Sequence, residues 1–444
     1  MISHLKVNLA QSAGLIRRLN GGNLGPNINH DNPEMEKRFR ELEVPITRLH
    51  DAPLANPGMR LVDIHHIFGS RYADEQDEHN YYFDQTDHYL DTIRRCGSDI
   101  MYRLGCSIEF SRPRYNAKPP EDMEKWSNIC LNIVRHYNDG WANGHHWNIR
   151  YWEVWNEPDD SGDNNGSYMW QGNCEQFCRL YETTAKKLKK AFPELKIGAA
   201  SFWKLHNNAE DPARHTFMRE FLEYCREKRL PLDFFSWHRY SSPELPFDLI
   251  DEPAEARKML DGLGFTNTEL HNTEWHYMHQ WGTPYYVNGE HAPGSITAAA
   301  HYTSVLTAWQ DTPLDMGYFY TIGGNGAFSP FYLARVLPLY YGMKAFTEIT
   351  RYPERRQAGS DLENLRILAG VGSGNSFGVL ISSFRTESEK ALLKFEGPQP
   401  GACQFFRVDR ERKLEEFAVE RSGDTFTLPL IPGDSCIYLM KGTF

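Results

Sequence analysis

Through roughly its first 345 residues the chain repeats one unit: a short apolar run that fits a strand, followed by a longer stretch with helical spacing. The runs that read as strands are Leu5–Leu9, Ile46–Leu49, Asp99–Leu104, Arg150–Trp155, Lys196–Ala200, Asp233–Trp237, Thr268–Thr273 and Asp315–Tyr320. Helical patterns fill the gaps. In Met123–Asn138, for example, Met123, Trp126, Ile129, Cys130, Ile133, Val134 and Tyr137 share one face. Strands that alternate with helices build parallel βαβ units, and at eight repeats the sheet can close. The expected fold is therefore α/β: a (β/α)8 TIM barrel over residues 1–345.

From about Phe346 the texture changes. Leu365–Val371, Ser376–Ser382, Gly401–Arg407 and Thr425–Leu430 are short, β-rich and separated by Gly, Pro and charged turns. That pattern predicts a C-terminal antiparallel β-sandwich module over residues 346–444. The N-terminal strand pairs either in the barrel or with this module, and the second choice shifts the strand count by one.

Charge and cysteine usage remove several function classes. The formal net charge is −11 and Lys and Arg never gather into a long run. Nucleic-acid binding, which needs concentrated positive charge, is not expected. The 8 Cys contain no CxxC pair, and Cys174 and Cys178 stand four apart in a helical stretch without a His cluster nearby. Buried free thiols are the reading. The first residues lack the basic and apolar segments of a signal peptide, and no stretch is long enough to span a bilayer. A cytoplasmic protein is expected as the sequence stands, or a periplasmic or secreted one if a leader was removed. Aromatics reach 13%, with 11 Trp and 23 Tyr, which suits core filling and also a cleft in which flat rings cover sugar faces.

The segment Tyr151-Trp152-Glu153-Val154-Trp155-Asn156-Glu157-Pro158-Asp159 starts as a strand and must end at Pro158, which cannot continue a ladder. Glu157 then lies at the C-terminal end of a barrel strand, where such barrels keep their reacting groups. By alternation Glu153, Trp155 and Glu157 share the inward face, with Glu153 deeper as a core carboxylate. A second carboxylate, Glu274, follows in Leu270-His271-Asn272-Thr273-Glu274-Trp275-His276-Tyr277, three βα units later and across the barrel. Glycoside hydrolysis needs such a pair, with about 5–5.5 Å between carboxyls giving retention and a wider gap giving inversion.

The sequence Glu-Val-Trp-Asn-Glu-Pro closely resembles the acid/base strand of clan A glycoside hydrolases. More narrowly, the chain resembles glycoside hydrolase family 39, the family of β-xylosidases and α-L-iduronidases. The similarity rests on Asn20-Gly21-Gly22-Asn23-Leu24-Gly25-Pro26, Thr47-Arg48-Leu49-His50-Asp51, Leu104-Gly105-Cys106-Ser107-Ile108-Glu109-Phe110, Trp237-His238-Arg239-Tyr240 and Thr273-Glu274. The resemblance implies Glu157 as acid/base, Glu274 as nucleophile and Asn156 as a ligand of the hydroxyl next to the anomeric carbon. It also implies a first sugar subsite lined by His50, Phe110, His238 and Tyr240.

Three further positions are substrate-binding candidates. Asp51 either binds a sugar hydroxyl or caps a loop. Trp275 opens a loop rich in His and aromatics, read as a stacking wall; a zinc site from His271, His276 and His279 is the sharper alternative. Asn325 stands among glycines in the strand-eight loop, where the family's β-xylosidases are expected to carry two carboxylates. The expected activity is a retaining exo-glycoside hydrolase acting on plant or microbial oligosaccharides, β-xylosidase-like with an altered sugar pocket. The competing readings are an arabinosidase-type enzyme, a transglycosylase and a non-catalytic carbohydrate-binding barrel. The chemistry calls for no metal and no cofactor.

Overall fold

The computed structural model describes residues 1–26, 33–52, 60–110, 112–160, 166–203, 205, 212–278, 292–323, 328–332 and 335–444. Eight parallel strands close a barrel: β2 (Asn20–Asn23), β3 (Ile46–Leu49), β4 (Asp99–Leu104), β5 (Tyr151–Val154), β6 (Lys196–Phe202), β7 (Phe234–Ser241), β8 (Glu269–Tyr277) and β9 (Met316–Phe319). Around them lie α1 (Pro33–Glu41), α2 (Asp84–Arg95), α3 (Met123–Asp139), α4 (Cys174–Ala191), α5 (Pro212–Lys228), α6 (Glu252–Gly262) and α7 (Ile296–Ala308), with α8 (Pro338–Ile349) leading out of the barrel. Asp122 caps α3 by accepting from the Lys125 amide, and Gly140, in the left-handed region, ends it.

The first strand of the chain is not a barrel strand. Residues Ile2–Leu15 form β1, which pairs antiparallel with β10 (Glu354–Ser360) and parallel with β13 (Lys390–Glu396). The reason is visible in its alternation: Leu5, Val7 and Leu9 are buried while His4 and Lys6 are exposed and Asn8 is half-buried. A strand with one wet face suits a sandwich; a parallel barrel strand is covered on both sides. The barrel's first strand is the segment Asn20-Gly21-Gly22-Asn23, which has little intrinsic strand propensity. Glycine is needed there by space, since a Cβ on Gly22 would sit 2.1 Å from Ile322 Cδ1.

The C-terminal strands β10, β11 (Leu365–Val371), β12 (Ser376–Ser383), β13, β14 (Cys403–Val408), β15 (Lys413–Glu416), β16 (Glu420–Ser422), β17 (Thr425–Pro429) and β18 (Cys436–Thr443) join β1 in one ten-stranded sheet. Its order is β15-β14-β18-β12-β11-β10-β1-β13-β17-β16. The sheet folds over itself into two layers: Phe405 on β14 meets Phe426 on β17 with ring centroids 5.3 Å apart, although seven places separate their strands. Strand β18 is buried on both faces. Tyr438 and Met440 point into the sandwich, and Ile437 and Leu439 join the barrel's core. Polar ties complete the junction, as Ser382 Oγ donates to Thr303 Oγ1 on α7 at 2.6 Å and Lys441 Nζ pairs with Glu348 on α8 at 2.5 Å. No helix among the described residues is long and apolar enough to cross a membrane.

Candidate active site

The barrel interior is layered. At the base Ile46, Met101, Phe234 and Tyr318 form a small apolar cluster. Above it lies a buried polar layer centred on Arg48 of β3, which is fully inaccessible. Its Nε donates to Glu153 Oε2 at 2.6 Å, Nη1 to Glu274 Oε1 at 2.9 Å and to Asn23 Oδ1 at 3.1 Å, and Nη2 to Asn156 Oδ1 at 2.6 Å and Ser201 Oγ at 2.8 Å. Glu153 accepts two more bonds, from Ser201 Oγ at 2.6 Å and Ser236 Oγ at 2.7 Å. A charge buried this deeply survives only when paired and fully hydrogen-bonded, which this arrangement provides.

Glu157 reaches the top of the barrel by a route that strand alternation does not predict. Strand β5 stops at Val154, and Trp155 and Glu157 both take left-handed backbone conformations, with φ of 73° and 44°. The expectation that Trp155 shares the inward face fails for that reason. Its ring points outward, 5.1 Å from Trp170, and its Nε1 donates to the Met169 carbonyl at 3.0 Å. The same turn lets the consecutive Asn156 and Glu157 both serve the pocket. The Glu157 amide donates to the carbonyls of Ala200 and Ser201 at 3.0 and 3.2 Å, fixing the residue against β6.

Glu274 is aimed by a bulge. Pairing between β7 and β8 slips after Trp237↔Asn272 and resumes at His238↔Glu274, so Thr273 is the extra residue. The slip leaves Glu274 beside His238. His238 Nδ1 stands 2.7 Å from Glu157 Oε1 and 3.6 Å from Glu274 Oε2, and one oxygen of each glutamate lies with it inside a span of 4.8 Å. Tyr240 Oη donates to Glu274 Oε2 at 2.7 Å. Both glutamates keep a small opening, Glu157 at 6% and Glu274 at 5% exposure.

Burial dominates the electrostatics. It pushes the Glu274 carboxyl above its ordinary value, as does neighbouring Glu157, while His238, Arg48 and the Tyr240 hydroxyl oppose the rise. Burial lowers His238 to about 4, so its ring is neutral near pH 7. His50 is held well below the ordinary histidine value by burial and then by the cations Arg103 and Arg48. Tyr240 and Tyr320 are raised well above the phenol value by burial, which keeps both as donors.

Of the other residues expected from sequence, His50 is buried with neither ring nitrogen hydrogen-bonded to the protein, and the Asn156 Nδ2 group is likewise unpartnered. The His50 Nε2 lies 3.5 Å from Asp51 Oδ1. Asp51 accepts from the Ile108 amide at 2.8 Å and from Tyr320 Oη at 3.4 Å, so it braces the loop after β3 beside the pocket. Glu109 accepts from the amides of Asn116 and Ala117 at 2.8 and 3.2 Å and is a loop brace also. Phe110 is 70% exposed and leans on Tyr168 at 5.4 Å. Trp275 is a correction: the residue after the inward Glu274 points outward, fully buried against Tyr302, Trp309 and Phe319, and forms no sugar wall. His271 lies low in the barrel on Tyr318 and Glu269, while His276 packs on Phe319, so these two do not converge. His279 and Asn325 fall outside the described residues.

Four contributors escaped sequence reasoning: Arg48, Ser201, Trp203 and Tyr320. Trp203 stacks on Tyr240 at 5.9 Å, and Tyr320 meets the same ring at 6.3 Å. For Arg48 a signal existed, since an arginine in the middle of a four-residue barrel strand must find buried anions.

Comparison with known proteins fits this geometry. The model of the family described as glycosyl hydrolases family 39 matches residues 54–322. The chain belongs to that family. Among curated proteins, a beta-xylosidase of Geobacillus stearothermophilus is 24% identical over 215 residues, 44% of this chain and 40% of that protein. A beta-xylosidase of Caldicellulosiruptor saccharolyticus is 28% identical over 143 residues, 32% of this chain and 25% of that protein. The chain thus matches less than half the length of these relatives. Among solved structures, a glucosidase from Croceicoccus marinus superposes with a TM-score of 0.80 at 22% identity, covering 100% of this chain and 99% of the other, which shows a shared fold.

Proposed function

We propose that this family 39 chain is a retaining exo-glycoside hydrolase in which Glu274 is the nucleophile and Glu157 the acid/base. The observation that carries the reading is the approach of the two carboxylates within 4.8 Å around His238, each with different partners. With one oxygen of each glutamate inside that span, the pair is nearer the roughly 5–5.5 Å of retaining enzymes than the about 6.5–9.5 Å of inverting ones. Arg48 and Tyr240 each contact one oxygen of Glu274, which favours its ionised form. Glu157 Oε1 shares a hydrogen bond with Nδ1 of His238, whose ring is neutral near pH 7.

In the first step Glu274 attacks the anomeric carbon as Glu157 gives its proton to the departing glycosidic oxygen, so one C–O bond forms and one breaks. Loss of the Glu274 charge on acylal formation removes the repulsion on Glu157, which then takes a proton from water. That water attacks the anomeric carbon and releases Glu274. Asn156 Nδ2 and His50 are the donors available to the sugar hydroxyls. The substrate class proposed is a short β-linked pentosyl or related unit, as the names of the curated relatives suggest. The glycines around Asn325 replace acidic groups, which favours an altered pocket and keeps an arabinosidase-type specificity in competition.

The test is a pair of variants assayed on an aryl-glycoside panel of β-D-xylose, α-L-arabinose, β-D-glucose, β-D-galactose and α-L-iduronic acid. Glu157→Gln and Glu274→Gln should each lower kcat by about 10²–10⁴-fold or more. Azide should restore turnover to Glu274→Gly with inverted product. Near-normal rates in both glutamine variants would end the assignment.

A further inference from the structure

A second convergence of titratable side chains lies outside the barrel, on residues that the glutamate pair does not use. Asp87 of α2 faces His136 near the end of α3 and His145 in the loop that follows. His136 Nε2 is 3.1 and 3.2 Å from the two Asp87 oxygens, and His145 Nε2 is 3.2 Å from Asp87 Oδ2. One atom from each of the three lies within 4.8 Å of the others. His136 is 2% exposed, Asp87 22% and His145 31%, so the cluster is anchored inside and open on one side.

Tautomer chemistry constrains what occupies this point. His136 Nδ1 is 2.9 Å from the Trp141 carbonyl, which can only accept, so Nδ1 carries a hydrogen. A neutral ring would then set the Nε2 lone pair against a carboxylate. A positive centre belongs between them, either a proton or a metal ion. His145 aims at the same carboxylate, its Nε2 3.2 Å from Asp87 Oδ2. Two protonated imidazoles on one carboxylate would repel each other, whereas one divalent ion serves both lone pairs. Tetrahedral zinc with ligands at about 2.0–2.2 Å has ligand–ligand edges near 3.3–3.6 Å, close to the separations seen here.

The surroundings hold the ligands in place. The His136 ring stacks on Phe83 at 3.5 Å and the His145 ring on Trp147 at 3.9 Å. The His145 amide donates to the His136 carbonyl at 2.6 Å. Gly144 permits that closeness, since a Cβ there would sit 2.1 Å from the His136 carbonyl oxygen. The Nδ1–H bond of His136 to a backbone carbonyl is the outer support that metal-bound histidines usually have.

We propose that Asp87, His136 and His145 form a binding site for one divalent transition-metal ion of zinc type, with solvent completing its coordination, and that the ion clips α2 to the loop entering β5. The test is calorimetric titration of Zn²⁺ into full-length protein stripped with a chelator. One equivalent should bind and raise the melting temperature, and X-ray absorption should show two imidazoles and oxygen at about 2.0–2.2 Å. His145→Asn and Asp87→Asn should each weaken binding by more than the 10–100-fold typical of losing a supporting group, with unchanged circular dichroism. A Glu157→Gln/Glu274→Gln protein, which disables the other His–carboxylate cluster, should bind as the parent does. Absence of a zinc equivalent, or binding that survives His145→Asn and Asp87→Asn but is lost in the glutamate double variant, would overturn the proposal.

Discussion

Two unlike partners of Glu274, Tyr240 and Arg48, both help to hold its charge. Tyr240 donates one hydrogen bond to Oε2 without adding charge, while Arg48 brings a full cation to Oε1. Tyr240→Phe should therefore lower kcat/KM by about 10- to 100-fold, the worth of one hydrogen bond to a charged group. The variant should also move the acid limb of the pH profile upward, because the lost hydroxyl was opposing the burial that already raises Glu274. Arg48 is a structural and functional hinge at once. Arg48→Met leaves Glu153 and Glu274 buried without their cation and should cost about 3–5 kcal/mol of stability in urea unfolding. Both glutamates were legible as residues because Pro158 ends one strand and the aromatic-flanked Thr273-Glu274 stands out in another. The partners were not, since Arg48, Ser201 and Tyr320 come from strands remote in sequence and meet only through barrel closure. Trp155 and Trp275 were misjudged for different reasons. Alternation fails at Trp155 because its backbone is left-handed, whereas Trp275 was read as loop although β8 continues to Tyr277 and ordinary alternation turns it outward.

Elements were legible where periodicity was strong and illegible where space, not propensity, made the strand. Strands β3 to β9 lie close to the runs read from apolar patterning. Strand β2 consists of Asn and Gly and was not among the runs read as strands; its glycines admit Ile322 and the backbone of β9. Gly22→Ala should destabilise the barrel by about 1–3 kcal/mol through overpacking. The double variant Gly22→Ala/Ile322→Val should recover part of that loss, and a double-mutant cycle in urea would measure the coupling. Strand β1 was left open between barrel and sandwich, although its half-wet alternation favours the sandwich. It sits between β10 and β13 in the middle of the ten-stranded sheet. Deleting residues 1–15 should therefore expose two ladder edges and give aggregated protein, checked by size-exclusion chromatography.

Across the whole molecule the buried titratable groups set the response to acid. His238 and His301 are lowered to about 4 and His276 to about 3, each mainly by burial, and His50 is held well below the ordinary 6.5. These folded-state values are depressed, so the unfolded chain binds protons that the folded chain excludes. The stability they support is complete above about 6.5 and is lost as pH falls toward 4 and 3. Glu252 works in the opposite sense: burial raises it to about 8, so it keeps a proton when folded. Glu274 and Asp51 are raised by burial as well, but the lowered histidines, His66 among them, outnumber the raised carboxyls, so unfolding takes up protons and the melting temperature should fall as pH drops below 6.5. The eightfold barrel was readable at this scale because eight strand–helix units allow few other closures, whereas the doubling of the sheet, with β18 buried on both faces, depends on contacts between strands far apart in sequence. The mechanism is tested most directly by nuclear magnetic resonance of the first sugar released from a cleaved aryl glycoside. Two carboxylates within 4.8 Å predict an initial product with the anomeric configuration of the substrate. An initial product of opposite configuration would contradict a covalent step on Glu274.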